Sequence, residues 1–99
     1  MKRRTSTEDV AMTDVAQVLA AITDPDLIAR FLIDLCTPAE VEALVDRWAV
    51  VPLLADGMSY RAIHDQTGVS VTTIGRVARC LDHGTGGYAA GLAHRRPTA

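Results

Sequence analysis

Two short helical patterns joined by a Thr-Gly step, within residues 58–81, constrain this 99-residue chain more than any other feature. Ser59 and Ser70 occupy cap positions, because a serine hydroxyl can accept hydrogen bonds from backbone amides one turn into a helix. Gly68 tolerates the left-handed backbone that ends a helix. After Ser70, apolar residues at 74, 77, 78 and 81 form one helical stripe. This order predicts a helix-turn-helix, whose second helix lies in the DNA major groove.

The polar and small residues of this motif are placed to meet DNA. The first helix is predicted at 60–66 with Ile63 facing inward, and its outward residues would then face phosphates. Small residues on the second helix would point away from the apolar stripe and let the backbone approach base edges, where a threonine could hydrogen-bond a base. The predicted DNA contacts are Arg61, His64, Ser70, Val71, Thr72, Gly75 and Arg79. The alternative is an ordinary helical hairpin whose Thr and Arg residues are only solvated.

The charge distribution favours the same end of the chain. The formal net charge is −2, which argues against a protein that binds nucleic acid over its whole surface. Residues 1–57 hold five Lys/Arg and ten Asp/Glu, a net −5, whereas residues 58–99 hold five Arg and two Asp, a net +3. Phosphate attraction depends on the local field more than on the total. The basic side chains therefore accompany the predicted DNA-reading element.

The rest of the chain predicts more helices and no strands. We expect a first helix from about Thr7 to Thr23 and a second after Asp24-Pro25, since a cap followed by proline is a helix start. A third should run from Pro38 to about Asp56 with Val41, Leu44, Val45 and Trp48 inward, and a last one should cover 88–94. One all-helical domain is predicted at 7–94, between a basic tail at 1–6 and a tail at 95–99. The apolar stripes before residue 57 are too wide for one small core, which suggests burial against a second copy.

Several function classes are not favoured. No apolar run is long enough for a membrane span and no signal-peptide core is present, so a cytoplasmic protein is expected. Cys36 and Cys80 fall on apolar faces and are predicted to be buried free thiols. A metal site would have to combine Cys80 and His83 with a distant histidine, which lacks a closed ligand set, so no metal is predicted. No nucleophile–base pair or phosphate loop is legible, and an enzyme is not expected.

The chain resembles the Trp repressor superfamily, and within it the YerC/YecD-type branch. The motifs that carry the resemblance include FLIDLCTPAE, GMSYR, TGVS and TIGRV. The matching residues are 31–40, 43–44, 47–48, 53–54, 57–61, 67–70, 73–77, 79–81 and 86–88. The resemblance implies an all-α fold of about six helices and an intertwined homodimer. It also implies a transcriptional repressor that presents one reading helix per subunit to successive major grooves of a palindromic operator.

The resemblance also implies a small-molecule site. In the tryptophan-responsive member, two arginines flank the indole of the corepressor, and Arg47 and Arg76 stand at the matching positions, with Thr37 and Thr73 matching further pocket residues. Val77 follows Arg76 where that member has glycine, and its extra carbons would occupy the space of the indole, which argues against tryptophan as corepressor. The two arginines could instead hold another small anion, or pair with acidic residues as structural salt bridges.

Two other departures concern shape. His64 stands where helix-turn-helix motifs usually carry a small residue, so its ring either points towards a phosphate or loosens the contact between the helices. Pro52 lies inside a long helix, where it removes one backbone hydrogen bond. The sequence thus predicts a dimeric, sequence-specific DNA-binding repressor, with a small amino-acid-like ligand as its candidate modulator. The alternative is a helical dimer that serves as a protein-interaction module and has lost DNA binding.

Overall fold

The computed structural model describes residues 5–95, and their side chains from residue 11 onward. It contains six α-helices and, in these residues, no strand. The helices are α1 (Thr5–Ala21), α2 (Pro25–Leu35), α3 (Pro38–Ala55), α4 (Tyr60–Thr67), α5 (Val71–His83) and α6 (Gly87–His94). The all-α prediction with six helices and a helix-turn-helix is confirmed.

The helix starts follow the capping residues in the sequence. Asp24 accepts a hydrogen bond from the backbone N–H of Asp26 (3.0 Å), with Pro25 at the first helical position. α3 continues through Pro52 and ends at Ala55, and the turn that follows contains Gly57, whose φ is 84°. The N–H of Met58 donates to the carbonyl of Leu53 (3.1 Å) beyond that glycine, which closes the last turn. Short polar side chains and glycine backbone freedom therefore set these boundaries.

The ends of α1 differ from the sequence prediction. The helix begins at Thr5, two residues before the predicted Thr7, and ends at Ala21 rather than near Thr23. Residues 1–4 of the predicted basic tail and residues 96–99 of the C-terminal tail lie outside the described residues. The side chain of Val10, which begins the apolar stripe predicted for α1, also lies outside them. Among residues 5–95, no helix is long and apolar enough to cross a membrane.

The contacts divide the chain into two units, residues 1–38 and 39–99. In the first unit, six of the ten described residues in the apolar stripes predicted for α1 and α2 are partly buried. These are Val15, Leu19, Ile22, Ile28, Phe31 and Leu32. Four other residues of the same predicted stripes are exposed, namely Met12, Val18, Leu27 and Leu35, and so is the neighbouring Ile33. Two helices of this size cannot bury apolar residues on several faces at once.

The second unit contains the compact core. Its buried residues come from α3, α4, the turn that follows α4, and α5; they are Val50, Val51, Ile63, Val69, Ile74 and Val77. Leu53, Leu54, Met58, Leu81, Tyr88 and Leu92 pack around them. Burying one such aliphatic side chain contributes about 1.5–3 kcal/mol. The core therefore ties the helix-turn-helix to the last two turns of α3.

The prediction that four residues of α3 face inward was wrong for three of them. Leu44, Val45 and Trp48 are 43%, 62% and 37% exposed, whereas Val50 and Val51 are fully buried. The helix carries apolar residues on more than one face, and α4 to α6 pack only against its C-terminal turns. Periodicity alone therefore could not show which apolar face the short helices would cover.

The cysteines are less buried than predicted. Both are free thiols, but Cys36 is only partly buried and Cys80 is exposed. Cys80 lies on α5 between Arg79 and Leu81. Leu81 belongs to the apolar stripe that faces the core, whereas Cys80 lies outside that stripe. The prediction that both thiols are buried was therefore wrong.

Gly91 allows α6 to pack against α3. A Cβ atom at this position would lie 3.0 Å and 3.1 Å from two ring carbons of Trp48, closer than side chains normally approach. Glycine weakens an isolated helix by about 1 kcal/mol relative to alanine. In α6 this cost is offset by the close approach of the indole.

We predict that Gly91→Ala lowers the free energy of unfolding by about 1 kcal/mol, because overpacking outweighs the gain in helix propensity. Trp48 is the only tryptophan in the chain, so its fluorescence should shift in the same variant. Urea unfolding followed by fluorescence measures both effects. Gly75→Ala is the matched control, since a Cβ there meets only one atom, at 3.9 Å. It should stabilise the protein and leave the emission unchanged, and a Gly91→Ala protein as stable as this control would contradict the packing argument.

Candidate nucleic-acid interface

The first helix of the motif, α4, is fixed at its start by Ser59. The Ser59 hydroxyl oxygen accepts a hydrogen bond from the backbone N–H of Ala62 (3.1 Å), as expected for an N-terminal cap. Ile63 is fully buried, as predicted, while Arg61 and His64 are exposed. One buried side chain thus orients this short helix, and its cationic and imidazole groups remain on the surface.

The turn between α4 and α5 is closed by side-chain and backbone hydrogen bonds. The Thr67 hydroxyl donates to the carbonyl of Ile63 (2.7 Å), and its oxygen accepts from the N–H of Val69 (3.1 Å). Gly68 has a φ of 78°, and its N–H donates to the carbonyl of His64 (2.8 Å). The Val69 side chain is buried below this network. The turn therefore has a defined conformation, which fixes where the next helix begins.

His64 takes part in closing the turn. Its Nδ1 lies 2.8 Å from the carbonyl oxygen of Val69. A carbonyl can only accept, so Nδ1 carries the hydrogen, and the neutral ring has an acceptor at Nε2. The ring thus joins α4 to the turn rather than loosening them, and it remains exposed.

The second helix of the motif, α5, is the reading helix of the prediction. Ser70 accepts a hydrogen bond from the N–H of Thr73 (3.1 Å), and its hydroxyl donates to Thr73 Oγ1 at the same distance. Ile74 and Val77 are 0% and 2% exposed, and the other two stripe residues, 78 and 81, are partly buried. The predicted apolar stripe is confirmed. The Ser70 hydroxyl has a structural role at the same place where a DNA contact was predicted.

The opposite side of α5 carries the predicted base-reading residues. Val71 is 52% exposed, and Thr72 and Arg79 are exposed as well. Gly75 is only half-buried, and the one heavy atom within 4 Å of a Cβ placed there is Cε2 of Tyr60, at 3.9 Å. The sequence prediction did not include Tyr60. Its position at the start of α4 was legible, but its packing beside Gly75 depends on how the turn orients the two helices.

The arginines of the interface are free to meet anions. Arg61, Arg76 and Arg79 are exposed, and none of them forms an ion pair with an acidic residue in the described part of the chain. Their charges are therefore not neutralised by a fixed acidic partner among those residues. Such cations can exchange their solvent counterions for phosphates of a bound nucleic acid.

The predicted ligand residues are distributed over both units. Thr37 is exposed and belongs to residues 1–38, whereas Arg47, Thr73 and Arg76 belong to residues 39–99. Arg47, like Arg76, is exposed and makes no ion pair within residues 11–95, so the structural salt bridges considered as an alternative are not formed there. Val77 is 2% exposed and part of the core.

The residues that the structure describes contain no candidate metal-binding site. In residues 11–95, no three His, Cys, Asp or Glu side chains lie close enough together to hold a metal ion. A surface cavity of about 490 Å³ is lined by Cys80, Gly84, Thr85, Gly87 and Tyr88, none of which is a predicted ligand residue.

The sequence and the fold agree with one known family. The family model described as Trp repressor protein matches residues 11–96. The uncharacterised protein YerC of Bacillus subtilis (strain 168) is 39% identical over 70 residues, which are 71% of this chain and 67% of that protein.

Two solved structures share the fold. The crystal structure of a candidate Trp repressor from Staphylococcus aureus has a TM-score of 0.77 and 28% identity, over 85% of this chain and 84% of that one. That of a TrpR-like protein from Eubacterium eligens has a TM-score of 0.78 and 29% identity, over 95% of this chain and 100% of that one. The chain therefore belongs to the Trp repressor family, whose members are helix-turn-helix DNA-binding regulators and not enzymes.

Proposed function

We propose that this protein is a sequence-specific transcriptional repressor that binds a palindromic operator as a homodimer. In this proposal Val71, Thr72 and the backbone at Gly75 face base edges. Arg61, His64, Ser70 and Arg79 contact the sugar–phosphate backbone, which positions the reading helix. A dimer bound at a promoter would exclude the polymerase and so repress transcription.

Gly75 is the observation that carries the proposal. It lies in the interior of α5 with an ordinary helical backbone, since the only glycines with positive φ in the described residues are 57, 68 and 86. A Cβ would meet only Tyr60, at an ordinary van der Waals distance of 3.9 Å. Alanine would therefore fit and strengthen the helix by about 0.5–1 kcal/mol. Among the described residues, no contact requires glycine here, in contrast to Gly91, and a bare backbone on an outward face suits close approach by another molecule.

The exposed apolar residues support the homodimer. Leu44, Val45 and Trp48 of α3 and Ile33 and Leu35 of α2 are each more than one-third exposed in the single chain. Contiguous exposed apolar side chains mark interaction surfaces in soluble proteins, and Leu44, Val45 and Trp48 lie within about one and a half turns of one helix. Pairing with a second copy would bury them, and two copies would also present two reading helices, as a two-fold symmetric operator requires.

A ligand site is a further part of the proposal. Arg47 and Arg76 are exposed guanidinium groups without ion-pair partners among the described residues, and guanidinium binds carboxylates in a bidentate manner. We propose that they hold a small amino-acid-like anion, with Thr73 as an additional polar contact. The buried Val77 argues against tryptophan, because a filled core position is costly to open for an indole. Selecting bound fragments from random DNA, with and without a panel of amino acids, would identify both operator and ligand.

We predict that Gly75→Ala weakens binding to the selected operator by about tenfold or more while stabilising the protein, because a methyl group would intrude on the contact with DNA. Fluorescence anisotropy with a labelled duplex measures the affinity, and urea unfolding measures the stability. Gly91→Ala is the control, and it should show the opposite pattern of lower stability with unchanged affinity. If one variant loses affinity but gains stability while the other loses stability but keeps its affinity, a change in stability cannot explain the loss of affinity. An unchanged operator affinity for Gly75→Ala would contradict the proposed approach of the reading helix.

We also predict that the wild-type chain sediments as a dimer and that Val45→Asp shifts it towards monomer, since a carboxylate would be buried at the interface. Sedimentation velocity measures the mass. Val71→Asp is a matched control, because Val71 is similarly exposed (52% against 62%) but lies on the reading helix, and this variant should remain dimeric. A monomeric wild-type protein would contradict the proposal. So would a Val45→Asp protein that stays dimeric at low concentration.

A further inference from the structure

Tyr60 stands beside the reading helix without an evident role inside the chain. It is the first residue of α4, directly after the Ser59 cap, and it is 43% exposed. Its Cε2 atom is the nearest side-chain atom to the Cβ position of Gly75, at 3.9 Å. Because Gly75 has no side chain, the edge of this ring provides the side-chain surface at that point of α5.

The ring and the hydroxyl of Tyr60 have different environments. The ring lines a surface cavity of about 250 Å³ with Leu54, Gly57, Met58, Ala78, Leu81 and Asp82. Tyr60 therefore lies beside the end of α3 and beside the flank of α5 that carries Ala78 and Asp82. No hydrogen bond to the hydroxyl is formed by any of the described residues, so phenylalanine would satisfy the same packing. The hydroxyl is therefore unexplained by the fold of the single chain.

We infer that Tyr60 is a DNA-contacting residue whose hydroxyl donates a hydrogen bond to a backbone phosphate. This inference rests on the proposed function and extends it to a residue outside the predicted interface. In a helix-turn-helix the first helix crosses the DNA backbone while the second enters the groove, and tyrosine hydroxyls are among the side chains that bind phosphates. The ring packed beside Gly75 places the start of α4 next to the reading face, so a duplex that approaches Gly75 also approaches Tyr60.

The salt dependence of the DNA affinity distinguishes a neutral hydrogen-bond donor such as Tyr60 from a charged one such as Arg61. An arginine that neutralises a phosphate releases a counterion, so its removal makes the logarithmic salt dependence of the affinity shallower by about 0.9. A phenol carries no charge at neutral pH and releases no counterion. Loss of the Tyr60 hydroxyl should therefore lower the affinity by the same factor at every salt concentration.

The test compares Tyr60→Phe with Arg61→Ala and Tyr88→Phe on the selected operator and on a random duplex, over a range of salt concentrations. Tyr88 is the only other tyrosine in the chain. It packs against the core from α6, and no described residue hydrogen-bonds its hydroxyl either. We expect Tyr60→Phe to bind both duplexes about tenfold more weakly with an unchanged salt slope, the size of one hydrogen bond to a charged group. Arg61→Ala should flatten the slope, and Tyr88→Phe should bind like the wild type.

Thermal unfolding of the same proteins separates a contact from a structural effect. Tyr60→Phe should unfold at the wild-type temperature, because it removes no hydrogen bond from the described fold. An unchanged affinity for Tyr60→Phe, or an equal loss for Tyr88→Phe, would overturn the inference while leaving the proposed function intact. A wild-type protein that binds no duplex at low salt would instead overturn the proposed function, and the inference with it.

Discussion

Burial of Ile63, Ile74 and Val77 against Val50 and Val51 holds the two helices of the motif together. α4 has only eight residues, and isolated helices of this length are not stable in water. The buried set among the described residues has six side chains, and each contributes about 1.5–3 kcal/mol. The helix-turn-helix therefore depends on a small apolar cluster at the end of α3. The positions of the exposed side chains of α4 and α5 depend in turn on this cluster.

Polar contacts complete what the apolar cluster begins. Thr67 and His64 close the turn, and Ser59 and Ser70 cap the helices that flank it. Because these groups satisfy the backbone around the turn, the outward face of α5 is not needed for stability and can carry small residues. Two glycines illustrate this division, since Gly91 makes room for Trp48, whereas no side chain that the structure describes needs the space left at Gly75.

Much of this architecture was predictable because it is encoded locally. Serine, aspartate and proline at helix starts and glycine at helix ends gave the helix order and most boundaries, and the stripe of α5 gave its buried face. The inward face of α3 was not predictable, because Leu44, Val45 and Trp48 are as apolar as Val50 and Val51, and only the position of the short helices distinguishes them. The exposure of Cys80, the closure of the turn by His64 and the place of Tyr60 beside Gly75 likewise depend on packing between helices rather than on spacing along one.

The charge is distributed unevenly along the chain, since residues 58–99 carry a net positive charge and residues 1–57 a net negative one. The part of the chain that contains the helix-turn-helix therefore attracts phosphates more strongly than the rest. The central claim is that the starts of α4 and α5 form the surface that meets DNA. Amide chemical-shift mapping of the protein with its selected operator tests this most directly. We expect the largest shifts at residues 59–61 and 70–76, with small shifts at 88–94. Shifts concentrated elsewhere, or none at low ionic strength, would contradict the account.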